Sequence, residues 1–381
     1  MRLCVVSGTF HPEPGGPPTF LHRLLPELQA RGHIVDVLTY GEADAPTEYP
    51  YRVTRISRRQ SIPKRLLAFT REVSSVGRRA DVFFVSDYGL PVAIVNLILR
   101  RPVLLKNVGD FAWEFSTRRH WISAGQTIDE FQIAPHPSRV NLLRAVQRWY
   151  TGAADAVIAP SRYSASLVVR WGIPESKVHV VYNAIDPVVI SQSYSDARQA
   201  LNLASPLIVT IARLTPWKGV SGIIRALVAV REKIPSARLV VVGDGPERAA
   251  LEREAAPFGE AVKFVGTQSP ESVRLFLRAA DVFVLFSTYE GLPHTVLEAM
   301  QIGTPVVVSD AGGNTEVVTH GENGWVVPKG DERALAAALI EVLSDRGLAE
   351  SRTHSATASL ARFSWPRLVD EYDRALRALV K

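Results

Sequence analysis

The sequence predicts an α/β protein made of two doubly wound domains, each a parallel sheet covered by helices on both faces. Three observations carry this expectation. Continuous Val/Ile/Leu/Phe runs, bounded by Gly, Pro or Asp, alternate with segments of helical period along all 381 residues. The runs form two sets: 2–7, 34–40, 81–86, 102–108, 155–160 and 178–183, then 207–212, 238–243, 262–265, 281–286, 305–309 and 325–327. Between the sets, the polar stretch Asn183–Ser205 with NAIDP and SQSYSD interrupts the periodicity and marks the domain break. The expected boundaries are therefore 1–185, 186–364 and a closing helix within 365–381. Ser364 is a suitable N-cap for that helix, and Pro366 suits its first turn.

Composition narrows the class. With 46% hydrophobic and 22% charged residues, the chain is ordinary for a globular protein and long enough for two cores. Its single cysteine, Cys4, excludes an intrachain disulfide framework and a cysteine-built metal site. Lying in the first strand, Cys4 is expected to be a small buried hydrophobe. No apolar run reaches the ~18 residues that a membrane-crossing helix needs. The nearest, Leu90–Leu99, contains Pro91 and Asn96 and ends at Arg100-Arg101. Met1–Gly8 enters a strand directly, without a leader-like pattern, so a cytoplasmic location is expected.

Charge is uneven. Residues 1–185 carry a net +8 and the remainder −2, within a total of +6, so the first half is expected to meet something anionic. In residues 58–79, Ile62, Leu66, Phe69, Val73 and Val76 recur at helical spacing. Arg58, Arg59, Lys64, Arg65, Arg71, Arg78 and Arg79 surround that stripe. Two readings stand side by side: a helix packed on its sheet, or a basic face on an anionic membrane surface, each cation then adding ~1 kcal/mol. No nucleic-acid partner is expected.

The stretch Ser287–Met300, STYEGLPHTVLEAM, is the richest in chemistry. It follows a buried-strand pattern and opens a helical one, leaving free N–H groups at a helix start near the carboxyl end of a strand. Anions bind at such places. Glu290 is expected in the loop mouth and Glu298 about two turns into the helix on the same side, where carboxylates suit sugar or ribose hydroxyls. Residues 207–219, LIVTIARLTPWKG, place Arg213 and Lys218 on one short loop after a strand, with Pro216 and Trp217 forcing a turn. Two such cations suit a diphosphate, Arg by bidentate contact and Lys as a point charge. Gly15 and Gly16, in HPEPGGPPTF before another helical pattern, read equally as a phosphate-approaching loop or as a turn needed only for geometry. The pattern is not GxGxxG, which argues against a nicotinamide cofactor.

Together IARLTPWKG, VVGDGPE (241–247), residues 281–318 and GENGWVVP (321–328) resemble the C-terminal half of the family-four retaining glycosyltransferases. The N-terminal half is similar more loosely, through PEPGGPPTF, RGHIVDVLTY, DAVIAPSRYS and VHVVYNAID. The resemblance implies the GT-B architecture: two Rossmann-like domains facing a central cleft, with the final helix crossing back to the first. It implies an acceptor-binding first domain and a nucleotide-sugar-binding second one. It further implies that Arg213 and Lys218 hold the donor diphosphate, that Glu298 binds ribose, and that Glu290 lies by the donor sugar without acting as nucleophile. Gly15, Gly16, Gly291, Leu292, Pro293, His294 and Thr295 would complete the donor site, and Gly312, Gly313 and Glu316 resemble the family's glycine-rich turn.

In KNVGDFAWEF (106–115), Asp110 matches the family pattern, while Gly109 stands where a histidine is usual. Asp110 is then a candidate for the sugar contact, with Trp113 and Glu114 as a candidate stacking platform and His11 and His120 as further loop candidates. The expected reaction is hexosyl transfer from a UDP- or GDP-sugar to a glycan or lipid-linked acceptor in cell-envelope polysaccharide or glycolipid synthesis. It would need no metal or other cofactor; the chain has no Asp-x-Asp pair. Peripheral attachment to the membrane's cytoplasmic face through 58–79 accompanies this reading. The alternatives are an epimerase or phosphorylase of the same fold, or a non-catalytic glycan-binding scaffold.

Overall fold

A computed structural model describes residues 1–13, 15–42, 48–123, 125–185, 192–203 and 206–380. The chain divides into two compact units. Met1–Ser123, Ile128–Tyr182 and Trp365–Lys381 form the first, Ala124–Thr127 and Asn183–Ser364 the second. Within the expected break, residues 186–191 and 204–205 lie outside the described residues.

The first unit is built on a parallel sheet of seven strands: β1 (Arg2–Ser7), β2 (Ile34–Tyr40), β3 (Arg52–Ile56), β4 (Val82–Ser86), β5 (Val103–Lys106), β6 (Ala156–Ala159) and β7 (Val178–Val180), in the order β3-β2-β1-β4-β5-β6-β7. The central strands are buried throughout, as their unbroken apolar runs require when helices cover both faces. Cys4, Val6, Phe69, Phe83 and Val85 lie in its core. Burial pushes the Cys4 thiol far above its ordinary range, so it acts as a packed hydrophobe.

The last helix, Trp365–Leu379, belongs to this unit. It buries Leu368, Val369, Tyr372 and Leu376, and the Tyr372 ring lies 5.5 Å from Phe20 and 5.7 Å from Phe84.

The second unit has a parallel sheet of six strands: β8 (Leu207–Ile211), β9 (Arg238–Val242), β10 (Val262–Gly266), β11 (Val282–Leu285), β12 (Val306–Ser309) and β13 (Trp325–Val327), in the order β10-β9-β8-β11-β12-β13. Its core gathers Ile208, Val241, Val284, Val307, Trp325, Leu335 and Leu339.

In each unit the winding reverses between two adjacent strands, β1 and β4 in the first, β8 and β11 in the second. Loops leaving the carboxyl ends of such a pair run apart and open a crevice there.

One strand, β3, is absent from the sequence expectation. It is an edge strand reading RVTRI, with Arg52 exposed and only Ile56 buried, so it lacks the apolar run that marks its neighbours. Charge on an edge strand also discourages pairing with other chains. Among the described residues, no helix is long and apolar enough to cross a membrane.

Candidate donor site in the second unit

Both loops singled out in the second half leave the carboxyl ends of the reversal pair. After β8 the chain forms a tight turn at Pro216–Lys218 and enters helix Val220–Lys233. After β11 it runs through Ser287–Pro293 into helix His294–Ile302. The two loops are joined by the Thr288 N–H donating to the Trp217 carbonyl at 2.8 Å. Gly219 permits the approach. Its φ is +66°, and a Cβ there would run into the Phe286 carbonyl. A second glycine supports the other side. The Gly313 N–H donates to the Glu290 carbonyl at 2.9 Å, and a Cβ at 313 would collide with the Gly291 carbonyl.

This framework brings Lys218 and Glu290 together, 72 residues apart in sequence, with Lys218 Nζ 2.6 Å from Glu290 Oε1. Glu290 is only 6% exposed. A carboxylate so buried needs a partner, and the lysine supplies it. Arg213, on the same loop as Lys218, is exposed, and among the described residues its side chain makes no hydrogen bond or ion pair. The loop after β8 thus carries one cation paired with Glu290 and one uncommitted guanidinium.

His294 is the first residue of its helix and is exposed; Pro293 is the N-cap, without a side-chain capping bond, and the first turn holds no acidic residue. The helix start therefore keeps its positive character toward solvent. Leu292 and Pro293 are buried beneath the loop, while Gly291 and Thr295 are partly exposed. Glu298 is the fifth helical residue, one turn in rather than the two expected, because the helix starts only at His294. Burial raises its carboxyl above the usual range, and Arg274 on helix Pro270–Ala279 partly offsets this. Arg274 was not singled out from the sequence, where it is one of two arginines on an amphipathic helix.

In the first unit, Gly15 (φ +139°) is the N-cap of helix Gly16–Ala30, and both glycines are exposed. Pro17 and Pro18 follow, so the first turn offers few N–H groups beyond those of the glycines themselves. Pro14 of that loop lies outside the described residues.

Asp110 is buried and engaged by the protein itself. It is 1% exposed and caps helix Phe111–Arg118, accepting from the Trp113 N–H at 3.1 Å, Gln132 Nε2 at 2.8 Å and Gln147 Nε2 at 3.2 Å. Desolvation raises its pKa and those bonds pull it back. Its oxygens serve the protein's own donors, so a direct sugar contact is not available in this conformation. Trp113 is 2% exposed and part of the core, so the stacking platform expected of Trp113 and Glu114 is not formed. His11 stacks on His22 with centroids 4.0 Å apart, and His120 is exposed at φ +54°.

Two family models match the chain: Glycosyltransferase Family 4 over residues 14–189 and Glycosyl transferases group 1 over 192–359. The uncharacterized glycosyltransferase MJ1607 of Methanocaldococcus jannaschii is 35% identical over 212 residues, 53% of this chain and 54% of that protein. The match thus spans about half the length of that relative. Alpha-monoglucosyldiacylglycerol synthase of Streptococcus pneumoniae is 23% identical over 81% of this chain and 70% of its own. Among solved structures, Anabaena Alr3699/HepE in complex with UDP superposes with a TM-score of 0.81 at 22% identity, covering 99% of this chain and 100% of that one. Two all-parallel α/β units with this likeness define the GT-B class of glycosyltransferase folds. Within that class the chain belongs to glycosyltransferase family four, both halves matching in order.

Proposed function

We propose that this glycosyltransferase moves a hexosyl unit, with retention of configuration and without a metal ion, from a UDP- or GDP-sugar to a glycan or lipid-linked acceptor in cell-envelope polysaccharide or glycolipid synthesis. The observation that carries the reading is the Lys218–Glu290 pair at the mouth of the reversal between β8 and β11, with the uncommitted Arg213 on the same loop as Lys218. A donor diphosphate brings two negative charges. It would draw Lys218 toward the phosphates alongside Arg213, and the two cations would stabilise the nucleoside diphosphate as the glycosidic bond breaks. Glu290, released from its lysine, would accept hydrogen bonds from the sugar hydroxyls. Glu298, one turn along, would take the ribose, and the N–H groups from Gly291 to Thr295 would face the donor. The acceptor would attack from the side on which the leaving group departs, its proton passing to the departing phosphate.

Support for a uridine donor comes from HepE, whose structures hold UDP, UDP with glucose, and UDP-glucose. A mannosyltransferase relative named for GDP-mannose keeps the guanosine donor in view, and the diacylglycerol-glucosylating relative supports a lipid acceptor. Peripheral attachment to the membrane's cytoplasmic face fits such an acceptor.

The test is release of nucleoside diphosphate from a panel of UDP- and GDP-sugars with and without EDTA. Turnover that survives EDTA and disappears in Arg213→Ala and Lys218→Ala supports the reading. Wild-type rates in both variants, or turnover that EDTA abolishes, would remove these two cations from their assigned role.

A further inference from the structure

The reversal point of the first unit carries a carboxylate that the donor chemistry does not use. β1 ends at Ser7 and β4 at Ser86, paired directly across the sheet. Asp87 is the next residue after β4, so it stands where the crevice of a doubly wound sheet opens. It occupies the same place in the first sheet, just beyond the strand across the reversal, as the loop of Glu290 does in the second. Its φ is +70°, a left-handed conformation that few residues other than glycine adopt. This turns the side chain back over the end of β1. One oxygen, Oδ1, accepts from the Gly8 N–H at 2.8 Å and from Ser7 Oγ at 3.2 Å. The other oxygen, Oδ2, has no hydrogen-bond partner among the described residues.

The cation whose charge reaches it, Arg58, is committed elsewhere. Arg58 lies 2.5 Å from Glu13 in an ion pair and donates a further bond to the Gly8 carbonyl at 2.9 Å. Asp87 is exposed to solvent as a residue, while the protein atoms around its carboxyl partly desolvate it. The desolvation raises its pKa to about 6. Bonds from Gly8 and Ser7 and the charge of Arg58 act the other way, while Glu13 adds to the rise. Beside it, the Tyr88 hydroxyl bonds that of Tyr40 at 2.8 Å, and Tyr150 on helix Ser138–Gly152 also feels its charge. Holding the Asp87 turn requires only one acceptor oxygen for the Gly8 N–H, which an asparagine also has.

We propose that Asp87 is an acceptor-binding residue: its open oxygen takes a hydrogen bond from a hydroxyl of a polyhydroxylated acceptor, a sugar ring or a polyol, bound at the β1/β4 reversal. The inference rests on the glycosyltransferase reading above and adds to it the chemistry of the second substrate. A carboxylate with one oxygen tied down and the other open is pre-oriented, so it binds a hydroxyl without first losing side-chain freedom.

The experiment compares the full chain with Asp87→Asn, using whichever nucleotide-sugar gives turnover and graded methyl α-glucoside, methyl α-mannoside and myo-inositol as acceptor probes. In the variant, KM for the acceptor is expected to rise roughly ten- to a hundredfold, the range for one hydrogen bond to a charged group. Donor KM and the Kd for free nucleoside diphosphate by calorimetry should stay unchanged. In the wild type, kcat/KM for the acceptor should fall as pH drops through about 6, and that limb should vanish in Asp87→Asn. The melting temperature of the variant at pH 7.5 should equal or exceed that of the wild type, since it loses a desolvated charge. An acceptor KM within twofold of wild type, or an acid limb that persists in the variant, would overturn the inference. Donor turnover that saturates with none of the three hydroxyl probes would do the same. If Asp87→Asn fails to fold, the wild-type pH profile decides alone, and a flat profile from pH 5 to 8 counts against the proposal. A wild type that binds no nucleoside diphosphate and turns over no donor would instead sink the underlying glycosyltransferase reading.

Discussion

Two cations on one loop are expected to answer mutation differently because only one of them has a partner. Lys218 neutralises the buried Glu290, so Lys218→Ala leaves a carboxylate with no counter-charge. That variant should lose about 1–3 kcal/mol of stability, less than a wholly buried pair would cost because solvent reaches the lysine. Arg213→Ala should change stability by less than about 0.5 kcal/mol, as for any unpaired surface side chain, while weakening nucleotide binding as strongly. Chemical denaturation and calorimetry on the two variants separate these effects; equal stability loss in both would contradict the pairing.

Glu298 carries a pH signature. Its carboxyl titrates above the usual range in the folded chain, so the native state holds that proton more tightly than the unfolded chain does. At low pH both states are protonated and the site costs nothing; as pH rises through the folded pKa, the ionised carboxylate becomes a cost to folding. Glu298→Gln should therefore raise the melting temperature at pH 8 and converge with wild type toward pH 4, while weakening nucleoside binding. A constant difference across that range would refute burial as the cause. The spacing of Glu290 and Glu298, and of Arg213 and Lys218, was legible in the sequence. Their mutual arrangement was not, because the Lys218–Glu290 bond joins residues 72 positions apart and depends on which strands neighbour one another. The surroundings of Asp110 were hidden for a related reason: sequence gives the residue type but not the two glutamines, at 132 and 147, that donate to its oxygens.

At the level of elements, the glycine before helix Val220–Lys233 governs how the loop of Arg213 and Lys218 meets the end of β11. Gly219→Ala meets both a positive φ and the Phe286 carbonyl, so the loop must move. The variant should lose more than about 1 kcal/mol, the usual scale for such backbone conflicts, together with nucleotide affinity. Gly321→Ala, also at positive φ but with open space around it, serves as the control and should keep its affinity. A Gly219→Ala protein with unchanged nucleotide Kd would show that the loop can adjust freely.

The helix Ile62–Gly77 has a buried side and a basic, solvent-facing side. Phe69 and Val73 are buried against the sheet, whereas Ile62 and Leu67 are 70% and 53% exposed. Of the surrounding cations, Arg58 pairs with Glu13 and Arg65 stacks over Tyr40, while Lys64, Arg71, Arg78 and Arg79 face solvent. Binding to anionic vesicles that fades with salt, and that Lys64→Gln/Arg71→Gln/Arg78→Gln/Arg79→Gln reduces, is the expected outcome in sedimentation. Equal binding to neutral vesicles would contradict it.

On the scale of the whole molecule, the alternation of apolar runs and helical segments was enough to read two doubly wound sheets, since a strand buried on both faces has little choice of composition. The edge strand β3 escaped because an edge is not so constrained. Each unit has its own core, so a nucleotide that binds the second should raise the melting of that unit, by about 2.7 kcal/mol of stabilisation at a hundred times its Kd. Scanning calorimetry with UDP, GDP and ADP checks this, and an unmoved transition with all three would count against a donor site there. The helix Trp365–Leu379 closes the first unit although it follows the second in sequence. A chain emerging from the ribosome therefore presents residues 183–364 before that helix, while the first unit waits for it, with Phe20 and Phe84 still lacking their Tyr372 cover. Nascent-chain chaperones should consequently hold on to the first unit until that helix emerges, and a stop codon just ahead of Trp365 should injure the unit whose strands lie far upstream of it.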